Sequence, residues 1–190
     1  MTTAQSRWVL GGGIGSGKSL VRRLLAQQGI ATIDADSIGH DVLGPGGPGF
    51  DEVAARWPEV VDEGRIDRRR LGTIVFADPA ELEVLESITH PHIFGAIKAQ
   101  VEQMGFRVVV EAPLPGQRLG GGWRQMVVDS RDEVRIARAV DRGIDESAVR
   151  ERMAAQPSRA EWLSSAELVV PNHGTVEDLE RTVRAVVAVL

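Results

Sequence analysis

Gly12-Gly13-Ile14-Gly15-Ser16-Gly17-Lys18-Ser19 fits the pattern G-x-x-x-x-G-K-[ST] at every position. That pattern carries chemistry when it joins a strand to a helix, and the flanking residues supply this setting. Upstream, Arg7-Trp8-Val9-Leu10 is a short apolar run that stops at Gly11, as a buried strand entering a turn does. Downstream, residues 19–28 place Leu20, Val21, Leu24 and Leu25 on one helical face, with Gly29 as a C-terminal cap. A second β-rich run over residues 30–33 ends in Asp34-Ala35-Asp36. Strand, glycine loop, helix and strand within about 30 residues make a βαβ unit, and hence a parallel sheet. In such a loop consecutive backbone N–H groups wrap a phosphate while the following helix aims its N-terminus at the same anion. Lys18 is expected to reach the β- and γ-phosphates, and the Ser19 hydroxyl to be placed for Mg²⁺. The motif therefore predicts that Gly13, Ile14, Gly15, Ser16, Gly17, Lys18 and Ser19 bind a nucleoside triphosphate.

The alternation continues along the chain. Leu43-Gly44-Pro45-Gly46-Gly47-Pro48-Gly49 predicts a surface loop, and short helical pieces follow over residues 50–57 and 71–76. Asp78-Pro79-Ala80-Glu81 opens a longer helix, with Asp at the cap and Pro at the first position. That helix is expected to run to about His90, where Pro91 kinks or restarts it and a second helix continues towards Met104. Strands over residues 107–111 and 126–129 enclose a Gly- and Pro-rich stretch, residues 112–123, read as a loop. Two or three short helices over residues 132–165, a strand over 168–170 and a helix opened by Thr175-Val176-Glu177-Asp178 complete the pattern. It predicts an α/β fold with helices on both faces of the sheet.

Composition narrows the function. The 190 residues hold 22 basic and 27 acidic side chains, a net charge of −5, which argues against a general nucleic-acid binder. Cysteine is absent, which excludes disulfides, thiolate nucleophiles and Cys-based zinc sites. No apolar run approaches the roughly 18 residues of a membrane span, and Arg7 before Trp8-Val9-Leu10 is too little for a signal peptide. A soluble cytoplasmic protein, a monomer or small homo-oligomer acting on small molecules, is the expectation. Of the basic residues only Lys18 and Lys98 are lysine.

Among phosphate-loop proteins, the lack of an Asn-Lys-x-Asp guanine motif weakens a GTPase reading, and the chain is short for a motor-like ATPase. A small-molecule kinase needs the loop, an acceptor pocket and a mobile basic lid. Asp36 falls at the end of the second strand, where α/β sheets place ligands, and a carboxylate there can accept the proton of an attacking hydroxyl. The same Asp36 also reads as the N-cap of the next helix. Arg135, Arg138, Arg142, Arg150, Arg152 and Arg159 fall within 25 residues and suggest the lid. Arg138 and Arg142 share a helical face, a like-charge pairing that an anion between them would relieve. Most of the six also read as a solvated face partnered by Glu133, Asp141, Glu146 and Glu151.

These residues together resemble the dephospho-CoA kinase family. The phosphate loop and Ile33-Asp34-Ala35-Asp36-Ser37-Ile38-Gly39-His40 are similar to its first two blocks. Gly64-Arg65-Ile66-Asp67-Arg68 with Leu71-Gly72, Val75-Phe76 and Asp78-Pro79 resemble the next. Leu85-Glu86-Ser87-Ile88-Thr89-His90-Pro91, then Arg138, Arg142, Gln156 and Asn172-x-Gly174, complete the pattern. The resemblance implies ATP-dependent phosphorylation of the ribose 3′-hydroxyl of dephospho-CoA. It implies a P-loop NTPase-type three-layer α/β fold with a parallel five-stranded sheet, a helical acceptor-binding region over about residues 40–105, and a lid over about 132–165, in one domain. Asp36, Lys18 and Arg138 would be catalytic, Arg142 would contact ATP, and His40, Arg65, Arg68, His90 and Glu111 would serve the acceptor. The chain departs from the pattern at Pro115, at Gly120-Gly121-Gly122, at Pro171, and at Gly11 and Leu20, where threonines usually flank the loop. Two other readings stand beside it: a relative that binds nucleotide without turnover, and a kinase for another nucleoside or nucleotide.

Overall fold

The computed structural model describes residues 6–105, 107–112 and 119–190. Its main sheet contains β1 (Ser6–Gly11), β2 (Ala31–Asp34), β5 (Arg107–Glu111), β6 (Trp123–Asp129) and β7 (Leu168–Pro171), in the order β2-β5-β1-β6-β7. β1 pairs in parallel with β5 and with β6, and β6 pairs in parallel with β7. Parallel pairing requires crossovers that cover both faces, so the strands read as continuous apolar runs rather than alternating ones. Trp8 and Leu10, Val109, Met126 and Val128, and Val170 pack with α1 (Lys18–Gln27) and α9 (Val176–Val187) in one buried cluster. The intervening Val9, Val108, Val110 and Val127 are buried as well. α1 contributes Val21, Leu24 and Leu25 to the cluster, and α9 contributes Leu179, Val183 and Val186, each at helical spacing. The region read as two or three helices holds α6 (Asp132–Val140), α7 (Glu146–Ala154) and α8 (Arg159–Ser165).

The chain divides into two compact units, Met1–Ile33 with Met104–Leu190, and Asp34–Gln103. The second unit is built from α2 (Ala35–Val42), α3 (Phe50–Arg56), α4 (Arg68–Val75) and α5 (Pro79–Gln103). Its own core joins Val53, Trp57, Val60, Ile66, Leu71 and Val75. The buried Trp57 indole donates to Glu81 Oε2 at 2.8 Å, so its one polar atom is satisfied.

Two features of this unit differ from expectation. The helix beginning at Pro79 runs through Pro91 without interruption to Gln103. Proline removes one i→i−4 bond, and the buried Thr89, Ile97 and Val101 on either side keep both halves packed as one element. Residues 61–66 form a small antiparallel hairpin, β3 (Val61–Asp62) with β4 (Arg65–Ile66). Its turn residues Glu63 and Gly64 have φ of 46° and 74°, the positive pair that a two-residue type I′ turn requires. Of the loop expected over residues 112–123, residues 113–118 lie outside the described residues, Pro115 included.

Candidate active site

The phosphate loop follows β1 and ends in α1. Gly15 and Gly17 have φ of 76° and 100°, conformations that L side chains rarely adopt. A Cβ would strike the Arg135 carbonyl at the first and the Asn172 amide at the second. Gly17 is the N-cap of α1 and supplies no side-chain cap, which leaves the helix N-terminus to an anion. Lys18 Nζ donates to the carbonyl oxygens of Gly12 at 2.7 Å and Gly13 at 3.4 Å, lying back along the loop. Ser19 Oγ donates to Glu111 Oε1 at 2.8 Å, and Arg22 Nε donates to Glu111 Oε2 at 2.7 Å. Glu111 ends β5 and its side chain is 7% exposed. Expected on the acceptor side, it is thus bonded to the first turn of the phosphate-loop helix.

A second set of contacts holds the loop from outside. Arg135 is buried, and its Nε donates to the Ile14 carbonyl at 2.9 Å while Nη1 donates to Asp132 Oδ1 at 2.9 Å. Asn172, just beyond β7, donates from Nδ2 to the Ser16 carbonyl at 2.8 Å. Ser130, just beyond β6, donates to the Asn172 carbonyl at 2.6 Å. Arg138 completes the clasp, with Nη1 reaching the Ser130 hydroxyl and Nη2 the Asn172 Oδ1, each at 3.2 Å. Gln156, just beyond α7, accepts from the Ile14 N–H at 2.8 Å. Arg142 Nε donates to the Arg138 carbonyl at 2.9 Å. Ser130 carried no sequence signal beyond its place after an apolar strand, and Arg135 could not be told from the other five arginines.

A cleft of about 510 Å³ opens along this structure, lined by Gly15, Gly17, Lys18, Ser19, Leu20, Arg23, Arg138, Asp141, Arg142, Asn172, Gly174 and Val176. Four cationic side chains and one carboxylate on its walls favour a polyanion. Near the loop, the Asp129 carboxylate at the end of β6 accepts from Arg159 Nε and Nη2, both at 2.7 Å, and lies 3.3 Å from His173 Nε2. The Arg159 hydrogen bonds hold the Asp129 carboxyl below its ordinary range, against the opposing effect of burial.

In the second unit Asp34, not Asp36, caps α2, accepting from the N–H groups of Asp36 and Ser37. The Asp36 side chain is exposed in the first turn. Arg68, at the start of α4, lies within electrostatic reach of Asp36; enclosure pulls its guanidinium below the usual value and the carboxylate pushes the other way. His40 lies in the last turn of α2 and Arg65 in β4, both exposed. His90 stacks on Phe94 with ring centroids 5.1 Å apart, beside a groove of about 360 Å³ along α5.

The sequence model of the dephospho-CoA kinase family, CoaE, matches residues 8–178. The chain belongs to this family. Its relatives include the dephospho-CoA kinase of Streptomyces avermitilis, 40% identical over 182 residues, which cover 92% of this chain and 88% of the relative. The dephospho-CoA kinase of Thermobifida fusca is 40% identical over 185 residues, covering 93% and 92%. Among solved structures, TT1252 from Thermus thermophilus superimposes with a TM-score of 0.84 at 30% identity over 98% of each chain. A dephospho-CoA kinase from Campylobacter jejuni, at 23% identity and a TM-score of 0.68 over 96% and 95% of the chains, shares the fold. At Gly11, just before the loop, the Trp162 ring and Gln125 amide fill the space a Cβ would take. No helix among the described residues is long and apolar enough to cross a membrane.

Proposed function

We propose that the chain transfers the γ-phosphoryl group of ATP to the ribose 3′-hydroxyl of dephospho-CoA, giving CoA and ADP. The observation that carries this reading is the cationic cleft walled by the phosphate loop, in a chain that belongs to this family. Lys18 Nζ exchanges its main-chain oxygens for β- and γ-phosphate oxygens, and the loop N–H groups hold the β-phosphate. Asp36 accepts a hydrogen bond from the 3′-hydroxyl and takes its proton late, as that oxygen bonds to the γ-phosphorus and the bond to ADP breaks. Asp34 fills the capping role of α2, and Asp36 stands in the first turn of that helix. Arg138, held in place by Ser130 and Asn172, offers its charge to the phosphoryl oxygens, and Arg142 contributes on the same wall. His40, Arg65 and His90 serve the acceptor.

The hydroxyl of Ser19 beside the Glu111 carboxylate is a hard-oxygen pair suited to Mg²⁺, which takes few protein ligands and completes its shell with water and phosphate. When bound there, the ion neutralises charge on the β- and γ-phosphate oxygens.

ADP release measured with dephospho-CoA, with a panel of nucleosides, and without acceptor tests the assignment. Release that depends on dephospho-CoA is the expected result. Release only with another acceptor would reassign the substrate. Bound ATP with no release under any condition would make the chain a binding protein.

A further inference from the structure

Phe76 is 79% exposed, whereas the other phenyl and indole side chains among the described residues are buried or half-buried. A single exposed apolar side chain is ordinary; the setting of this one is not. Arg68, Gly72 and Phe76 recur at a spacing of four along α4 and its C-cap, so they share one face. The neighbouring row, Leu71 and Val75, is buried in the core of the unit. The Phe76 ring turns back over Gly72, where a Cβ would meet its carbons at 3.5 and 3.7 Å. The ring therefore stands beside the helix one turn, about 6 Å, beyond Arg68. Arg68 in turn is the guanidinium whose charge Asp36 favours. Within one unit the chain sets out a carboxylate, a cation and a bare aromatic face.

The geometry points to Phe76 as the stacking platform for the adenine ring of the acceptor. The inference rests on the proposed function. In dephospho-CoA the base sits on the same ribose that carries the 3′-hydroxyl. An Asp36 that orients this hydroxyl holds the base nearby, and Arg68, within electrostatic reach of Asp36, is followed one turn along α4 by the Phe76 ring. Every purine presents a π-face, and stacking on an aromatic side chain supplies affinity without demanding a fixed hydrogen-bond pattern. Gly72 gives the ring a seat against the helix, and the ring stays exposed to a flat ligand.

Isothermal titration calorimetry on the full chain tests this with two probes: dephospho-CoA, and 4′-phosphopantetheine, which lacks the nucleoside. Phe76→Ala is expected to weaken dephospho-CoA binding about 10-fold or more while leaving phosphopantetheine and ATP binding unchanged. Phe76→Trp is expected to retain wild-type affinity. In turnover assays the Ala variant raises KM for the acceptor and leaves kcat within about 2-fold, the mark of an interaction that is equal in ground and transition states. Unchanged dephospho-CoA affinity in Phe76→Ala overturns the inference, as does an equal loss for both probes. A shift in oligomeric state without a change in acceptor affinity overturns it too and assigns the ring to contacts between copies. A wild-type chain inactive with dephospho-CoA fails at the earlier step and overturns the proposed function itself, so the two failures are distinguishable.

Discussion

Replacing Glu111 by glutamine is expected to separate stability from catalysis. The Glu111 carboxylate has one oxygen on Ser19 Oγ at 2.8 Å and the other on Arg22 Nε at 2.7 Å, with side-chain exposures of 7% for Glu111 and 23% for Arg22. A glutamine fits the same space. Rotated so that its oxygen accepts from Arg22, it directs its NH₂ at Ser19, whose hydroxyl can accept instead of donate. Both partners stay satisfied and only the charge assistance to Arg22 is lost, about 1 kcal/mol. In a domain of this size that lowers the melting temperature by about 2–4 °C. Glu111→Ala leaves both donors without the carboxylate and opens a small cavity, and a loss of about 3 kcal/mol, or about 6–12 °C, is expected. Activity should follow a different order. In Glu111→Gln the Ser19 lone pair faces the new amide, so the oxygen proposed for Mg²⁺ is taken. We expect kcat to fall at least about 10-fold, with a raised Mg²⁺ requirement, in a protein that is nearly as stable as wild type. Thermal melts combined with ADP-release assays across a Mg²⁺ titration check this. Near-normal turnover by Glu111→Gln would refute the reasoning, and so would melting as early as Glu111→Ala.

Lys18→Ala and Asp36→Asn should each lower turnover at least about 100-fold, and near-normal rates in purified Asp36→Asn would remove its assigned role. Because the Asp129 carboxyl is depressed by Arg159, the stability it contributes is fully present above the ordinary carboxylate value, about pH 4, and is lost as pH falls through its folded value. Asp129→Asn should therefore melt earlier at pH 7 and show a shallower decline as the pH falls below about 4; an acid limb parallel to wild type would count against the pair. Gly11→Thr should cost about 1–3 kcal/mol by overpacking against Trp162 and Gln125. Adding Trp162→Leu should recover part of that loss, and a double variant showing no coupling in melting temperature would contradict the packing account.

The strands of the main sheet and the phosphate loop were legible because their signals are local. β5 spans the expected residues 107–111, and the buried face of α1 is the one its periodicity marks. Of the two outcomes expected at Pro91, the restart does not occur, because packing on both sides outweighs one missing hydrogen bond and the helix continues to Gln103. The hairpin at Glu63-Gly64 passed unread because each of its strands is only two residues long, too short to show alternation. At the start of α2 two carboxylates compete for one cap, and the sequence alone does not decide between Asp34 and Asp36. The extended backbone of Asp34 (φ −104°, ψ 102°) does.

What the sequence by itself determined is the phosphate loop, the sheet that presents it and the family to which the chain belongs, because glycine spacing and apolar runs act over a few neighbouring residues. Only the tertiary structure selected Arg135 from the similar arginines and joined it, with Arg138, to Ser130, Gln156 and Asn172 around the loop. Those partners lie as far as 156 positions apart in the chain. Their pairing is fixed by which buried carbonyls and amides of the loop would otherwise lack a hydrogen bond, and that requirement exists only once the chain has folded.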